Sequence, residues 1–140
     1  MSARPIPDRY RTVTPYLIVA DAAGALDFYR KAFGATESMR MAGPGGRVMH
    51  AEITIGDSTL MLADEFPEMG VRGPRSYGGT PVSLLLYNED VDALFDRAVA
   101  AGARPVIPPE NTPFHTRRAR VLDPGGQEWS FGTYEPGVSW

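Results

Sequence analysis

Two stretches of this chain follow one plan: "YLIVADAAGALDFYRKAFGA" at 16–35 and "LLLYNEDVDALFDRAVAAGA" at 84–103. This internal repeat constrains the fold more than any other feature of the sequence. Each copy opens on an apolar run long enough for a strand. An aspartate follows, Asp21 or Asp90, placed to cap a helix by accepting from backbone N–H groups that lack a partner in the first turn. In the second copy Val91, Leu94, Phe95 and Ala98 fall at i, i+3, i+4 and i+7, one apolar stripe turned to a sheet. Leu26, Tyr29 and Phe33 mark the matching stripe in the first, widened by Ala25, Phe28 and Ala32. Both helices are expected to end at Gly-Ala, where Gly34 and Gly102 suit the left-handed C-cap. The cap aspartates lie 69 positions apart and the glycines 68, so the copies differ by about one residue within the helix.

Strand-like segments follow each helix. In the first half "RVMHAEITI" (47–55) leads through Gly56-Asp57 into "STLMLA" (58–63). In the second, "RPVIP" precedes "TRRARVL" (116–122), the turn Asp123-Pro124-Gly125-Gly126, and "QEWSFGTY". Both halves read β-α-β-β-β. The expectation is a single α+β domain over 1–140 made of two tandem modules, residues 11–64 and 81–136, joined by a linker at 65–80. The linker region "DEFPEMGVRGPRSYGGTP" (64–81) has the glycines and prolines of a mobile loop. It is either a surface connection or a cover over a cavity, and in the second case Phe66, Met69 and Tyr77 would touch a ligand.

Composition narrows the function. With no cysteine, disulfides, thiolate metal sites and cysteine nucleophiles are excluded. Net charge is −3 and the arginines are scattered, so no basic face for nucleic acid is expected. The first residues lack a signal-peptide run and no stretch approaches a membrane span, so a cytoplasmic protein without membrane contact is expected. "AGPGGR" (42–47) has glycines but neither the lysine nor the strand–loop–helix setting of a phosphate-binding loop.

The segments "TPYLIVADAAGALDFYRKAFGA", "VMHAEITIGDSTLMLADE", "PVSLLLYNEDVDALFDRAVAAGA" and "RVLDPGGQEWSFGTYEP" together cover most of 11–136. In their order and spacing they resemble the vicinal oxygen chelate superfamily of glyoxalase I, bleomycin-resistance proteins, fosfomycin-modifying enzymes and extradiol dioxygenases. The likeness is strongest to PhnB-like and bleomycin-resistance-like members. The resemblance implies paired modules, each curling its sheet into half of a concave cavity, usually within a homodimer. It also implies metal-ligand positions on the first and last strand of each module, which here hold Thr14, Met61, Ser83 and Ser130. Neutral hydroxyls and a thioether are poor ligands for the hard or borderline divalent ions such enzymes use. No metal and no other cofactor is therefore expected, and no catalytic residue is assigned.

Strand parity supplies the cavity-facing candidates. Thr14, Tyr16 and Ile18 share one face of the first strand, and Ser83, Leu85 and Tyr87 that of its repeat. His50, Glu52 and Thr54 face together, with Ala51, Ile53 and Ile55 behind them. Glu128 and Ser130 complete the set, while Trp129 and Phe131 pack behind the sheet. At i and i+2 on a strand, His50 and Glu52 point the same way, so they either share a proton or metal or pair with neighbouring polar groups. Arg117, in "FHTRRAR", either binds an anionic group at the cavity mouth or ties down a loop or the dimer partner. His115 beside it reads as a loop residue. This amphipathic lining suits a small organic ligand. The sequence thus points to metal-free binding of a drug or metabolite by a homodimer. The alternative is a lyase, isomerase or dioxygenase-like enzyme using His50 and Glu52 or an unconventional metal. Trp140, apolar and outside both modules, is expected to dock on the partner.

Overall fold

The computed structural model describes residues 4–137, so Trp140 lies outside the described residues. The first module runs β1 (Tyr16–Val19), α1 (Ala22–Phe33), β2 (Thr36–Ala42), β3 (Val48–Ile55) and β4 (Ser58–Asp64). After a short helix, α2 (Pro74–Tyr77), the second runs β5 (Ser83–Tyr87), α3 (Val91–Ala100), β6 (Arg104–Asn111), β7 (Thr116–Leu122) and β8 (Glu128–Tyr134). Each module is a four-stranded sheet, in the orders β1-β4-β3-β2 and β5-β8-β7-β6. The first strand joins the last in parallel and the other pairs are antiparallel. The expected α+β architecture of two tandem β-α-β-β-β modules is the one observed.

The caps form as the sequence requires. Asp21 accepts from Gly24 N at 3.0 Å and Asp90 from Ala93 N at 3.1 Å. The repeat extends to a second anchor at the helix starts. Buried Asp64, at the end of β4, accepts from Ala22 N at 2.7 Å and from Val48 N at 2.5 Å. Thr133, 69 positions later, accepts from Val91 N at 3.2 Å. Gly34 takes the left-handed conformation at φ 66°, but α3 ends on right-handed Ala101, with the positive φ one residue later at Gly102.

One core serves both modules. Leu17, Val19, Ala51, Ile53, Leu60 and Leu62 meet the α1 stripe, while Ala119, Val121, Trp129 and Phe131 face the helices from the second sheet. Because α1 also reaches the second module, Phe33 lies 4.7 Å from the Trp129 ring and 5.7 Å from Phe131, centroid to centroid. The aromatic pair of β8 is thus behind the sheet, as parity predicts.

Three local expectations are revised. β1 starts at Tyr16, so Thr14 precedes the strand and its hydroxyl turns back to the Arg11 carbonyl at 3.1 Å. β6 extends to Asn111 through Pro105, Pro108 and Pro109, which is tolerated because it is an edge strand and Pro108 and Pro109 fall at a register shift between Ile107 and Glu110. The linker carries ordered structure. Phe66 is buried, pairs with Val71 and lies under the Arg47 guanidinium, 4.1 Å from its ring centroid. Ser76 of α2 donates to Glu65 at 2.5 Å.

Candidate functional site

The register fixes which side chains share the face opposite the helices. In the first sheet Tyr16 and Glu52 are both opposite Met61, Met39 is opposite Glu52, and Met41 is opposite His50. Tyr16, His50, Glu52 and Met61 therefore stand on one face, with Met39 and Met41 extending it. The methionines give that face a soft, adaptable apolar rim.

A chain of hydrogen bonds crosses it. The Tyr16 hydroxyl is 2.8 Å from His50 Nδ1, and His50 Nε2 is 2.9 Å from Glu52 Oε2. The other carboxylate oxygen of Glu52 is held by Arg9 from the segment ahead of β1. That segment is pinned alongside by Thr59, which donates to the Arg9 carbonyl at 3.0 Å. Tyr10, His50 and Arg9 together hold the Glu52 carboxyl below its ordinary range. The buried Tyr10 hydroxyl finds no aligned partner, so its pull is that of a nearby dipole and the directed partners are His50 and Arg9. Burial, then the charge of Glu52, raises Tyr16. With only 7% of its surface exposed, Glu52 reaches the open face through His50, whereas Tyr16 is 48% exposed.

In the second sheet Ser83 is opposite Glu128, Leu85 opposite Ser130, Tyr87 opposite Gly132 and Arg120 opposite Ser130. A second polar chain results. Arg120 Nε donates to Ser130 Oγ at 3.2 Å, Ser130 and Ser83 share a hydrogen bond of 2.8 Å, and Arg120 Nη1 is 3.4 Å from Glu128. Arg120 is the functional candidate that the sequence reading missed. The alternation in "RRAR" places Arg118 and Arg120 on this face, and only the pairing with Ser130 distinguishes Arg120 among the arginines.

Arg117 lies on the other face. It grips Asp92 of α3 at 2.7 and 2.9 Å and Asn111 at 3.0 Å, a tie between helix and strand that also lowers Asp92. His115 has φ 60°, and its carbonyl accepts from Glu135 N at 2.7 Å.

The two polar faces do not close on one cavity within the chain. A recess of about 540 Å³ runs along Tyr16 and Ile18 to Tyr77 and Val82. A larger one of about 780 Å³ lies between the modules, from Arg9 and Ile55 to Leu85, Tyr87 and Trp129. His50, Glu52, Met61, Ser83, Glu128 and Ser130 line neither. Within the single chain each sheet thus leaves its polar face outside these two recesses.

The superfamily's divalent ion does not fit these residues. Thr14 is turned to a backbone carbonyl, and Met61 offers a thioether. Ser83 and Ser130 are bonded to each other with a guanidinium on Ser130, a positive charge where the ion would sit. Among the described residues, no three His, Asp or Glu side chains gather to hold a metal. No helix among the described residues is long and apolar enough to cross a membrane.

Comparison with known proteins agrees with the fold. An uncharacterized protein of Mycobacterium bovis is 46% identical over 123 residues, 86% of this chain and 81% of that one. An uncharacterized protein of Arabidopsis thaliana is 31% identical over 123 residues, 82% of this chain and 74% of that one. Among solved structures, TioX from Micromonospora sp. ML1 superposes with a TM-score of 0.68 at 25% identity, covering 92% of this chain and all of that one. The PhnB protein from Bacillus cereus shares the fold, with a TM-score of 0.68 at 20% identity over 88% of this chain and 99% of that one. The family model for the Glyoxalase/Bleomycin resistance protein/Dioxygenase superfamily matches residues 10–131. The chain belongs to that superfamily.

Proposed function

We propose that this protein binds a small organic molecule without a metal ion, sequestering a drug or metabolite, and does so as a homodimer. The carrying observation is the Arg120–Ser130–Ser83 chain at the place where relatives are expected to hold their ion. A guanidinium and two hydroxyls suit a carbonyl or carboxylate far better than a cation. The open faces carry Tyr16, Leu85 and Tyr87, the last two 54% and 65% exposed, and these supply apolar contact. A second copy laid face to face would close each open sheet and bring a Tyr16–His50 half opposite a Ser83–Ser130 half.

The test is a thermal-shift screen of antibiotics and metabolites, since a ligand that binds only the folded state raises Tm. The best compound is then titrated by calorimetry with and without a strong chelator. Unchanged affinity supports the reading. Binding lost on chelation and restored by a divalent ion overturns it.

The Tyr16–His50–Glu52 chain favours a second reading, a lyase or isomerase moving a proton on the bound molecule, because histidine is the side chain suited to such transfer near neutral pH. Turnover of the bound compound, abolished in His50→Gln, would distinguish catalysis from sequestration.

A further inference from the structure

We infer that Tyr16 is a specificity-determining residue that accepts a hydrogen bond from the ligand, so that the first sheet selects molecules presenting a hydroxyl, amine or amide N–H at that point. The inference rests on the reading that ligands seat on this open face. Glu52, ionised and locked by Arg9, only accepts. Its Oε2 lies 2.9 Å from His50 Nε2, so that nitrogen carries the imidazole proton. Neutral His50 is then left with a bare Nδ1, an acceptor, 2.8 Å from the Tyr16 hydroxyl. Tyr16 commits its only proton to His50 and turns oxygen lone pairs toward the half-exposed face.

Nitrogen-15 NMR of the ligand-free protein at pH 8 reads the tautomer directly, so this part stands apart from the metal-free binding reading. The expected result is His50 protonated on Nε2, with that preference weakened in Glu52→Gln. Phenol and anisole, which differ in one O–H, then serve as paired probes followed by chemical-shift titration. Phenol should bind roughly threefold to tenfold more tightly than anisole at pH 8, the worth of one net hydrogen bond. The ratio should vanish in Tyr16→Phe. A proton on Nδ1 at pH 8, or equal affinity of the two probes for the unmodified protein, overturns the inference.

Discussion

The Tyr29 hydroxyl donates to Asp123 Oδ2 across 2.5 Å, joining the helix of the first module to the β7–β8 turn of the second, 94 positions away. Asp123 also accepts from Trp129 Nε1 at 3.0 Å and, through Oδ1, from the backbone N–H groups of Gly125 and Gln127, both at 2.9 Å. One carboxylate thus closes the last hairpin, orients the Trp129 indole and clamps the modules together. Tyr29→Phe should cost about 1–2 kcal/mol, because a buried acceptor loses one of several donors. Asp123→Ala should cost more, since it strands two side-chain donors and two backbone donors at once. Urea denaturation of the two variants measures both, and equal stability in Tyr29→Phe would show that the clamp contributes nothing.

The same contact predicts an alkaline limit. Burial, with the charge of Asp123 added, pushes Tyr29 well above the ordinary tyrosine value, so the fold favours the protonated form. A group raised in the folded state contributes fully below its unfolded value, near 10, and loses that contribution as pH rises through the folded one. Stability measured by urea at pH 8 and pH 11 should therefore fall further in the unmodified protein than in Tyr29→Phe.

Adjacent residues of β8 should behave oppositely. Trp129 is buried against Tyr29 and Phe33, so Trp129→Ala should cost about 3–5 kcal/mol. Ser130→Ala should cost less than about 1 kcal/mol, because Ser83 and Arg120 keep access to water on the open face. Thermal unfolding of the pair decides it, and similar losses from both would contradict the observed parity.

Two nearby arginines should separate in binding. Arg120→Ala is expected to weaken the best compound of the thermal-shift screen by about tenfold or more, as loss of a charge-assisted hydrogen bond would. Arg117→Ala should leave that affinity within about twofold, its guanidinium being engaged by Asp92 behind the sheet. Calorimetric titration with one ligand batch compares them.

If a second copy covers the open faces, a charge placed there should split the dimer. Leu85→Asp is expected to yield a folded monomer by light scattering, with unchanged circular dichroism, because Leu85 is half exposed in the single chain and outside its core. A monomeric unmodified protein at micromolar concentration would remove the dimer from the proposal.

Much of this was legible in the residues. The 69-position offset sets Asp21 against Asp90 and Met61 against Ser130, and both pairs occupy equivalent places in the two modules. Strand parity separated Trp129 and Phe131 from Ser130, because a sheet with one buried face allows one register and a one-residue slip would expose the aromatics. Such patterns need only the periods of helix and strand, which act over a few residues.

What the tertiary structure decided are pairings between polar and charged groups far apart in the chain. Arg9 holds Glu52 across 43 positions, Arg75 of the linker reaches the Pro124 carbonyl, and Tyr29 meets Asp123 across 94. In "RRAR" alternation separates Arg117 from Arg118 and Arg120, but only the packed fold sends Arg117 to Asp92, Arg118 to Glu110 and Arg120 to Ser130. Long side chains choose partners by distance once the backbone is in place, and composition and periodicity carry no record of that distance.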